Sequence, residues 1–105
     1  MPGRREPGVL RLSPDYSAPS PVWSDHGCVG LGDLGISPAL ATRLDAWNEL
    51  FQEHFRYDSG WDGPAARAEF ATQAYRLLRD LRAELDPTEV VLEDWTGAVP
   101  RQRTT

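Results

Sequence analysis

Two amphipathic helix patterns joined by a short turn constrain the fold of this chain more than any other feature. The first pattern runs from Ser37 to about Tyr57, and its apolar side chains recur at Leu40, Leu44, Trp47, Phe51 and Phe55. The second runs from Pro64 to about Leu85, and its stripe consists of Phe70, Ala74, Leu77, Leu81 and Leu85. Steps of three and four place each set on one face of a helix. The sequence therefore predicts an αα-hairpin that turns at residues 58–63.

Both helices have clear start signals. Ser37-Pro38 combines a capping hydroxyl with a proline at the first helical position, where the missing N–H costs nothing. At the second start, either Asp62 or Gly63 fits the cap position before Pro64. A proline at position 87 ends the second helix, because the residue before a proline avoids helical geometry.

Strand patterns flank the helices. In a strand at residues 8–13, Leu10 and Leu12 would share one face, and in a strand at residues 88–93, Val90 and Leu92 would do the same. Val22-Trp23 is long enough for a brief edge strand. Two strands alone are only marginally stable, so the helices must cover one face of the sheet. We therefore expect an α+β fold with a small two- or three-stranded sheet under the αα-hairpin, in the order strand, long loop, helix, helix, strand.

A chain of 105 residues forms one domain. We expect residues 8–95 to form it, between a disordered N-terminus at 1–7 and a disordered tail at 96–105. The long loop at 15–36 contains several prolines and glycines but also enough apolar residues to lie ordered on the core. Loops of this length are often functional, and the sequence leaves open whether this one is functional or only structural.

The formal net charge is −5, from 16 acidic residues and 11 arginines, with no lysine. Arginine without lysine, together with nine glycines and nine prolines, indicates a GC-rich bacterial genome. The acidic balance argues against a nucleic acid partner and suits a protein with a basic surface. No apolar run is long enough to span a membrane, and the N-terminus lacks a signal-peptide pattern, so we expect a cytoplasmic protein.

Residue types that carry chemistry are sparse. Asp25, His26 and Cys28 are close in sequence, but a zinc site usually needs two separated ligand pairs, and the remaining histidine is His54. A nucleophilic triad of Cys28, His54 and an aspartate needs contacts that sequence cannot show. We assign no catalytic residue, no metal ligand and no cofactor, and we expect a binding protein rather than an enzyme.

The segment 27–35 is rich in glycine, and residues 30–35 match the letters G-x-G-x-x-G of a dinucleotide-binding turn. A true site lies in a βαβ unit, with a strand of some length before the turn and an acidic residue at the end of a second strand, and these are missing here. We interpret the match as coincidence. The alternative hypothesis is a small ligand-binding domain or enzyme that uses this loop together with His54.

Aromatic residues next to aspartates recur in the loops and at the ends of elements. As partner-binding residues we select Trp23, Asp25, Tyr57, Asp58, Trp61 and Asp62. Tryptophan and tyrosine anchor many protein interfaces, and carboxylates suit a basic partner. The competing interpretation makes Trp23 and Trp61 core residues and the aspartates turn or cap residues.

These observations predict a small acidic protein-interaction module, of the inhibitor, immunity or accessory-subunit type, without catalytic chemistry of its own. A homo-oligomer is the further alternative, because both helical stripes are wide.

Four segments resemble a group of short uncharacterised proteins that are common among actinobacteria. They are Pro14-Asp15-Tyr16, Val22-Trp23-Ser24-Asp25, Ile36-Ser37-Pro38-Ala39-Leu40 and Arg43-Leu44-Asp45-Ala46-Trp47. The resemblance extends over about residues 10–95 and implies a single domain that is not secreted. The group has no established activity, so the resemblance implies no catalytic residue.

Overall fold

The computed structural model describes residues 9–16 and 18–99. Two helices, α1 and α2, span Pro38–His54 and Pro64–Leu85. Six short strands, β1 to β6, span Leu10–Leu12, Val22–Ser24, Gly27–Cys28, Phe55–Arg56, Gly60–Trp61 and Val90–Leu92. One turn of 3₁₀ helix at Leu31–Asp33 interrupts the long loop.

Four of the strands form a mixed sheet in the order β3-β2-β1-β6. β1 pairs with β2 in antiparallel fashion and with β6 in parallel, so that Leu10 lies opposite Val90 and Leu12 opposite Leu92. The helical hairpin connects the two halves of this sheet and covers one of its faces. The predicted α+β fold with an αα-hairpin is thus confirmed, and the sheet has one strand more than the largest size expected. β2 is internal, because β3 turns back and pairs with its outer side.

α1 begins as the sequence predicts. The Leu40 amide donates a hydrogen bond of 3.2 Å to the Ser37 side chain. Glu84, near the end of α2, accepts hydrogen bonds from the Ser37 backbone amide and hydroxyl at 2.7 and 2.8 Å. The start of α1 is therefore tied to the end of α2. α2 begins at Pro64 with Gly63 as its cap residue, which has no side chain to contribute, so Asp62 is not the cap.

α1 ends at His54, three residues before the predicted end. Phe55–Arg56 instead forms β4, which pairs with β5 across a tight turn to make a second, two-stranded sheet. Gly60 has a φ of +83°, a left-handed conformation that glycine adopts without steric cost. The Tyr16 hydroxyl donates a hydrogen bond of 2.9 Å to the Phe55 carbonyl, which holds the start of this β4–β5 hairpin against the body of the protein.

Aromatic side chains dominate the core between the helices. Phe51 is fully buried, and its ring centroid lies 4.7 Å from that of Tyr16 and 5.5 Å from that of Phe55. Trp47 stacks on Phe70 at 4.4 Å and donates its indole N–H to the Phe70 carbonyl at 3.0 Å. These rings join α1, α2 and the N-terminal loop, so the packing of all three depends on the same few side chains.

The disordered ends expected at 1–7 and 96–105 lie mostly outside the described residues. Four residues of the expected tail, 96–99, are described, and Ala98 and Val99 are buried against the core. Asp94 holds this turn, since its carboxylate accepts hydrogen bonds from the Thr96 amide and hydroxyl and from the Val99 amide. The packed unit therefore continues past Trp95. None of the helices in the described residues is long and apolar enough to cross a membrane.

Replacing Phe51 with alanine tests the aromatic core. The substitution removes a fully buried ring and leaves a cavity, so we expect a loss of roughly 3–5 kcal/mol in the free energy of unfolding. Urea unfolding followed by circular dichroism measures the loss. Tyr57→Ala is the control, because Tyr57 is 83 % exposed, and it should change stability by no more than about 0.5 kcal/mol. A loss below that of the control would contradict this account of the core.

Asp80 links the two helices in a pH-dependent way. A hydrogen bond from Arg79, which has the larger effect, and one from Arg43 hold the pKa of the Asp80 carboxyl below its usual value. A lowered pKa in the folded state stabilises the protein above the unfolded pKa of about 3.9, and this contribution disappears as the pH falls through the folded value.

Asp80→Asn should therefore reduce stability by a small amount at pH 7, and the difference from the unsubstituted protein should shrink below about pH 4. Thermal unfolding of both proteins across this range measures the difference. Asp45→Asn, an exposed carboxylate on α1, controls for the loss of one charge. A difference that grows in acid would contradict the assigned direction.

Candidate protein-binding surface

The face of the four-stranded sheet that lies away from the helices has a mixed polar and aromatic composition. Strand register aligns Arg11 with Trp23 on one side and with Val91 on the other, and Trp23 with Cys28. Side chains alternate between the two faces of a sheet, and the neighbours of these residues are buried beneath the helices, namely Leu12, Val22 and Val90. The face that carries Arg11, Trp23, Cys28 and Val91 is therefore the outer surface of the sheet.

A cleft of about 270 Å³ lies at one end of this outer face. Its walls come from the exit of β1, from β2 and from the segment after β6, and they consist of Arg11, Ser13, Pro14, Asp15, Trp23, Glu93 and Trp95. We call this the outer-sheet cleft. It exists because β1 pairs with both β2 and β6, which brings three distant segments together.

Two tryptophans flank the outer-sheet cleft, and each is held by a hydrogen bond to a backbone carbonyl of the segment that follows β1. The Trp23 indole N–H donates to the Ser13 carbonyl at 3.0 Å, and the Trp95 indole N–H donates to the Pro14 carbonyl at 2.8 Å. Trp95 is half exposed, and its other side packs edge-on against Phe51 at a centroid distance of 5.4 Å. Both rings are thus fixed in place before any partner arrives.

Carboxylates outnumber cations around the cleft. Arg11 lies 3.6 Å from Asp25 and 3.6 Å from Glu93, and it donates a hydrogen bond of 3.1 Å to the Ser24 carbonyl. Asp15 adds a third carboxylate, which accepts the amide of Tyr16 at 2.7 Å. The side chains of Asp25 and Glu93 are 73 % and 58 % exposed, so they keep most of their capacity to meet a partner.

α1 positions Asp15 from below. The buried Asn48 side chain accepts the Asp15 amide at 3.2 Å, and Gln52 donates to the Asp15 carbonyl at 3.4 Å. The backbone of Asp15 is therefore anchored at both its amide and its carbonyl group. Asp15 belongs to a loop, but side chains of the rigid helix α1 hold its backbone in place.

The structure places four of the six predicted binding residues elsewhere, on the β4–β5 hairpin. Tyr57 is 83 % exposed at the turn, and Asp58 beside it is also exposed. Asp62 approaches the His54 ring nitrogen Nδ1 at 2.9 Å. Trp61 packs on Phe70 at 4.9 Å, and its indole nitrogen is buried without a hydrogen-bond partner within the described residues.

The six predicted residues thus form two groups. Trp23 and Asp25 lie on the sheet, whereas Tyr57, Asp58, Trp61 and Asp62 lie on the hairpin. A row of rings connects them, because Phe55 lies 5.3 Å from Trp95 and 5.3 Å from Trp61. Trp61 also contributes to the core, so Tyr57 and Asp58 are the better positions at which to test the hairpin.

Sequence reasoning left Arg11, Asp15, Glu93 and Trp95 out of the predicted site. Arg11 and Glu93 meet only through the parallel pairing of β1 with β6, which no local pattern reveals. One signal was present in the sequence. In their strand patterns, Arg11 and Glu93 lie on the face opposite Leu12 and Leu92, and these two faces become one surface when the strands pair. Trp95 lies three residues after the end of β6.

The glycine-rich segment 27–35 does not form a dinucleotide-binding turn. Its first residues make β3, and Leu31–Asp33 is a three-residue 3₁₀ helix, so the βαβ context is missing. Cys28 donates its thiol to the Ser20 carbonyl at 3.3 Å, while His54 faces Asp62. Across 9–16 and 18–99, no group of three His, Cys, Asp or Glu side chains is arranged to hold a metal ion.

Two glycine substitutions test the turn that presents Tyr57 and Asp58. A Cβ at Gly60 meets no atom, so Gly60→Ala should cost only the left-handed backbone penalty of about 1–2 kcal/mol. Gly32→Ala is the matched control, because its site is equally open and its φ is not left-handed; it should be neutral or stabilise by up to about 1 kcal/mol. Chemical unfolding compares the two. Equal effects would contradict the assigned turn geometry.

Comparison with known proteins covers most of the folded unit. No curated protein matches the chain. A family model described as Serratia CdiI immunity protein-like matches residues 8–93, which include both helices and all six strands. The match covers most of the sequence and stops two residues before Trp95. The chain therefore belongs to the Serratia CdiI immunity protein-like family, and it is a small protein-interaction module of the immunity type.

Proposed function

We propose that this protein is the immunity partner of a bacterial protein toxin and neutralises the toxin by binding it. Membership of an immunity protein family over residues 8–93 is the observation that carries the proposal. An immunity protein of this kind acts by association, so its function lies in a surface rather than in a reacting group. The toxin is expected to carry a basic surface, because the surface of this protein is acidic.

The described residues are more acidic than the whole chain. Glu6 and four of the 11 arginines lie outside them, which leaves 15 acidic residues and seven arginines. Along α1, Asp45, Glu49 and Glu53 recur in steps of four and are all exposed. A negatively charged surface attracts a basic partner and raises the rate of productive encounters.

Two aromatic features on this acidic surface are suited to contact. The outer-sheet cleft offers Trp23 and Trp95 in fixed positions, beside Asp25. The β4–β5 hairpin offers Tyr57, with Asp58 next to it. Interfaces gain most of their energy from a few well-packed aromatic anchors, and a fixed ring loses little entropy on binding. These features support a binding role for four of the six residues selected from the sequence, namely Trp23, Asp25, Tyr57 and Asp58.

We place the protein in the bacterial cytoplasm. Its single cysteine, Cys28, has no partner cysteine in the chain, and the fold depends on packing rather than on a disulfide. Such a protein is compatible with a reducing compartment.

Capture and growth assays test the proposal together. The affinity-tagged full chain, expressed in a host that carries its native partner, should retain one stoichiometric protein at low salt and less of it at high salt, because screening weakens the attraction of opposite charges. That protein, expressed alone in a laboratory strain, should arrest growth, and co-expression of this chain should restore it.

Two outcomes would overturn the proposed function. One is a captured protein whose expression is harmless, and the other is a growth arrest that co-expression does not relieve. Light scattering on the purified chain and on the complex gives the stoichiometry and also tests the homo-oligomer predicted as an alternative. A double substitution that leaves the fold intact, Tyr57→Ser with Asp58→Asn, then tests whether the hairpin contributes to the interface.

A further inference from the structure

We propose that the outer-sheet cleft is the seat for one cationic side chain of the partner, an arginine or a lysine on a basic segment. The identity of the partner rests on the proposed function, whereas the preference of the cleft for a cation can be tested without any partner. The size of the cleft, its aromatic walls and its charges each favour such a guest.

The size of the cleft suits a side chain. Its volume of about 270 Å³ lies just below the roughly 300–1,000 Å³ typical of sites for small organic ligands and cofactors. A long, thin group such as the arginine or lysine side chain can enter it from the solvent. The walls are partly polar, so a purely apolar guest would remove water from the Asp15 and Glu93 carboxylates and give them no new hydrogen bond, which is costly.

The aromatic walls favour a cation. Both indole N–H groups are already bound to backbone carbonyls, so Trp23 and Trp95 have only ring surface left to offer a guest. A guanidinium or ammonium group within about 6 Å of a tryptophan ring is attracted by the negative face of the ring. Arginine gains further, because its flat guanidinium also stacks on aromatic rings.

The charges point in the same direction. Asp15 and Glu93 line the cleft together with a single cation, Arg11, and a third carboxylate, Asp25, lies 3.6 Å from Arg11. The guanidinium of Arg11 is already shared between Asp25, Glu93 and the Ser24 carbonyl. An anionic guest would therefore face three carboxylates for one engaged arginine, whereas a cationic guest would find carboxylate oxygens still able to accept hydrogen bonds.

A titration with N-acetyl-L-arginine amide tests the cleft directly, with the full chain and no partner. The protein has four tryptophans, whose indole N–H signals are resolved by NMR and assigned with single Trp→Phe variants. The signals of Trp23 and Trp95 should shift with millimolar affinity, because one side chain buries little surface. The signals of Trp47 and Trp61, whose indole groups are buried elsewhere, should stay in place.

N-acetyl-L-glutamine amide is the neutral control and should cause no shift at the same concentrations. An arginine derivative that leaves Trp23 and Trp95 unmoved would overturn the proposal. Equal shifts with the neutral compound would overturn it as well, since they would show that charge plays no part.

Charge-matched variants then test the cleft in the complex. Asp15→Asn with Glu93→Gln removes two charges from the cleft, and Asp45→Asn with Glu49→Gln removes two from α1. Both pairs keep side-chain size and oxygen acceptors, so the Asp15 contact with the Tyr16 amide is preserved. Binding to the captured partner should weaken by about 30-fold or more for the cleft pair and by less than about threefold for the helix pair.

Calorimetry at one fixed salt concentration measures both dissociation constants, and unchanged melting temperatures confirm that the variants fold. Equal weakening by the two pairs would mean that only net charge matters, and would overturn the cleft as the seat of a partner residue. A harmless partner would instead overturn the proposed function, while the titration and the variants would still decide the cleft.

Discussion

The parallel pairing of β1 with β6 joins the first strand of the described chain to the last. Parallel strands cannot be linked by a tight turn, so the chain must cross one face of the sheet before it returns as β6. Here the crossover contains the αα-hairpin, which buries Leu12, Val22 and Val90. The same pairing sets Arg11 beside Glu93 on the opposite face. One backbone ladder therefore determines both the core and the outer-sheet cleft.

The aromatic cluster couples that cleft to the rest of the core. Trp95 forms one wall of the cleft and packs edge-on against Phe51 and Phe55 inside the protein. Because Phe51 also contacts Tyr16, the loop that leads away from the cleft shares the same support. A partner that binds the cleft would thus touch side chains that already have fixed positions, and little conformational entropy would be lost.

Local signals explain what the sequence predicted well. Proline at the first turn and an apolar stripe located α2 at its observed bounds of Pro64–Leu85. The end of α1 was misplaced because Phe55 continues the helical spacing from Phe51 although its backbone is extended. β3, β4 and β5 were missed because two residues are too few to show a period.

Only part of the candidate surface was within reach of sequence reasoning. Trp23 and Asp25 were found through their composition, since an aromatic residue near an acid in a loop is a local feature. Arg11, Glu93 and Trp95 come together only through the long-range ladder between β1 and β6, so no single window of sequence contains the cleft.

Acidic residues in different places are expected to act on different steps of binding. The exposed carboxylates of α1 contribute mainly to the long-range field, which changes the association rate and is weakened by salt. Carboxylates in a cleft lose water when a cationic side chain enters, and their hydrogen bonds then hold the complex together, which lowers the dissociation rate. An immunity protein needs both: fast capture limits the damage before binding, and slow release keeps the toxin inactive. The sheet and the helical hairpin of this fold place these two kinds of charge on separate surfaces, so each can change without disturbing the other.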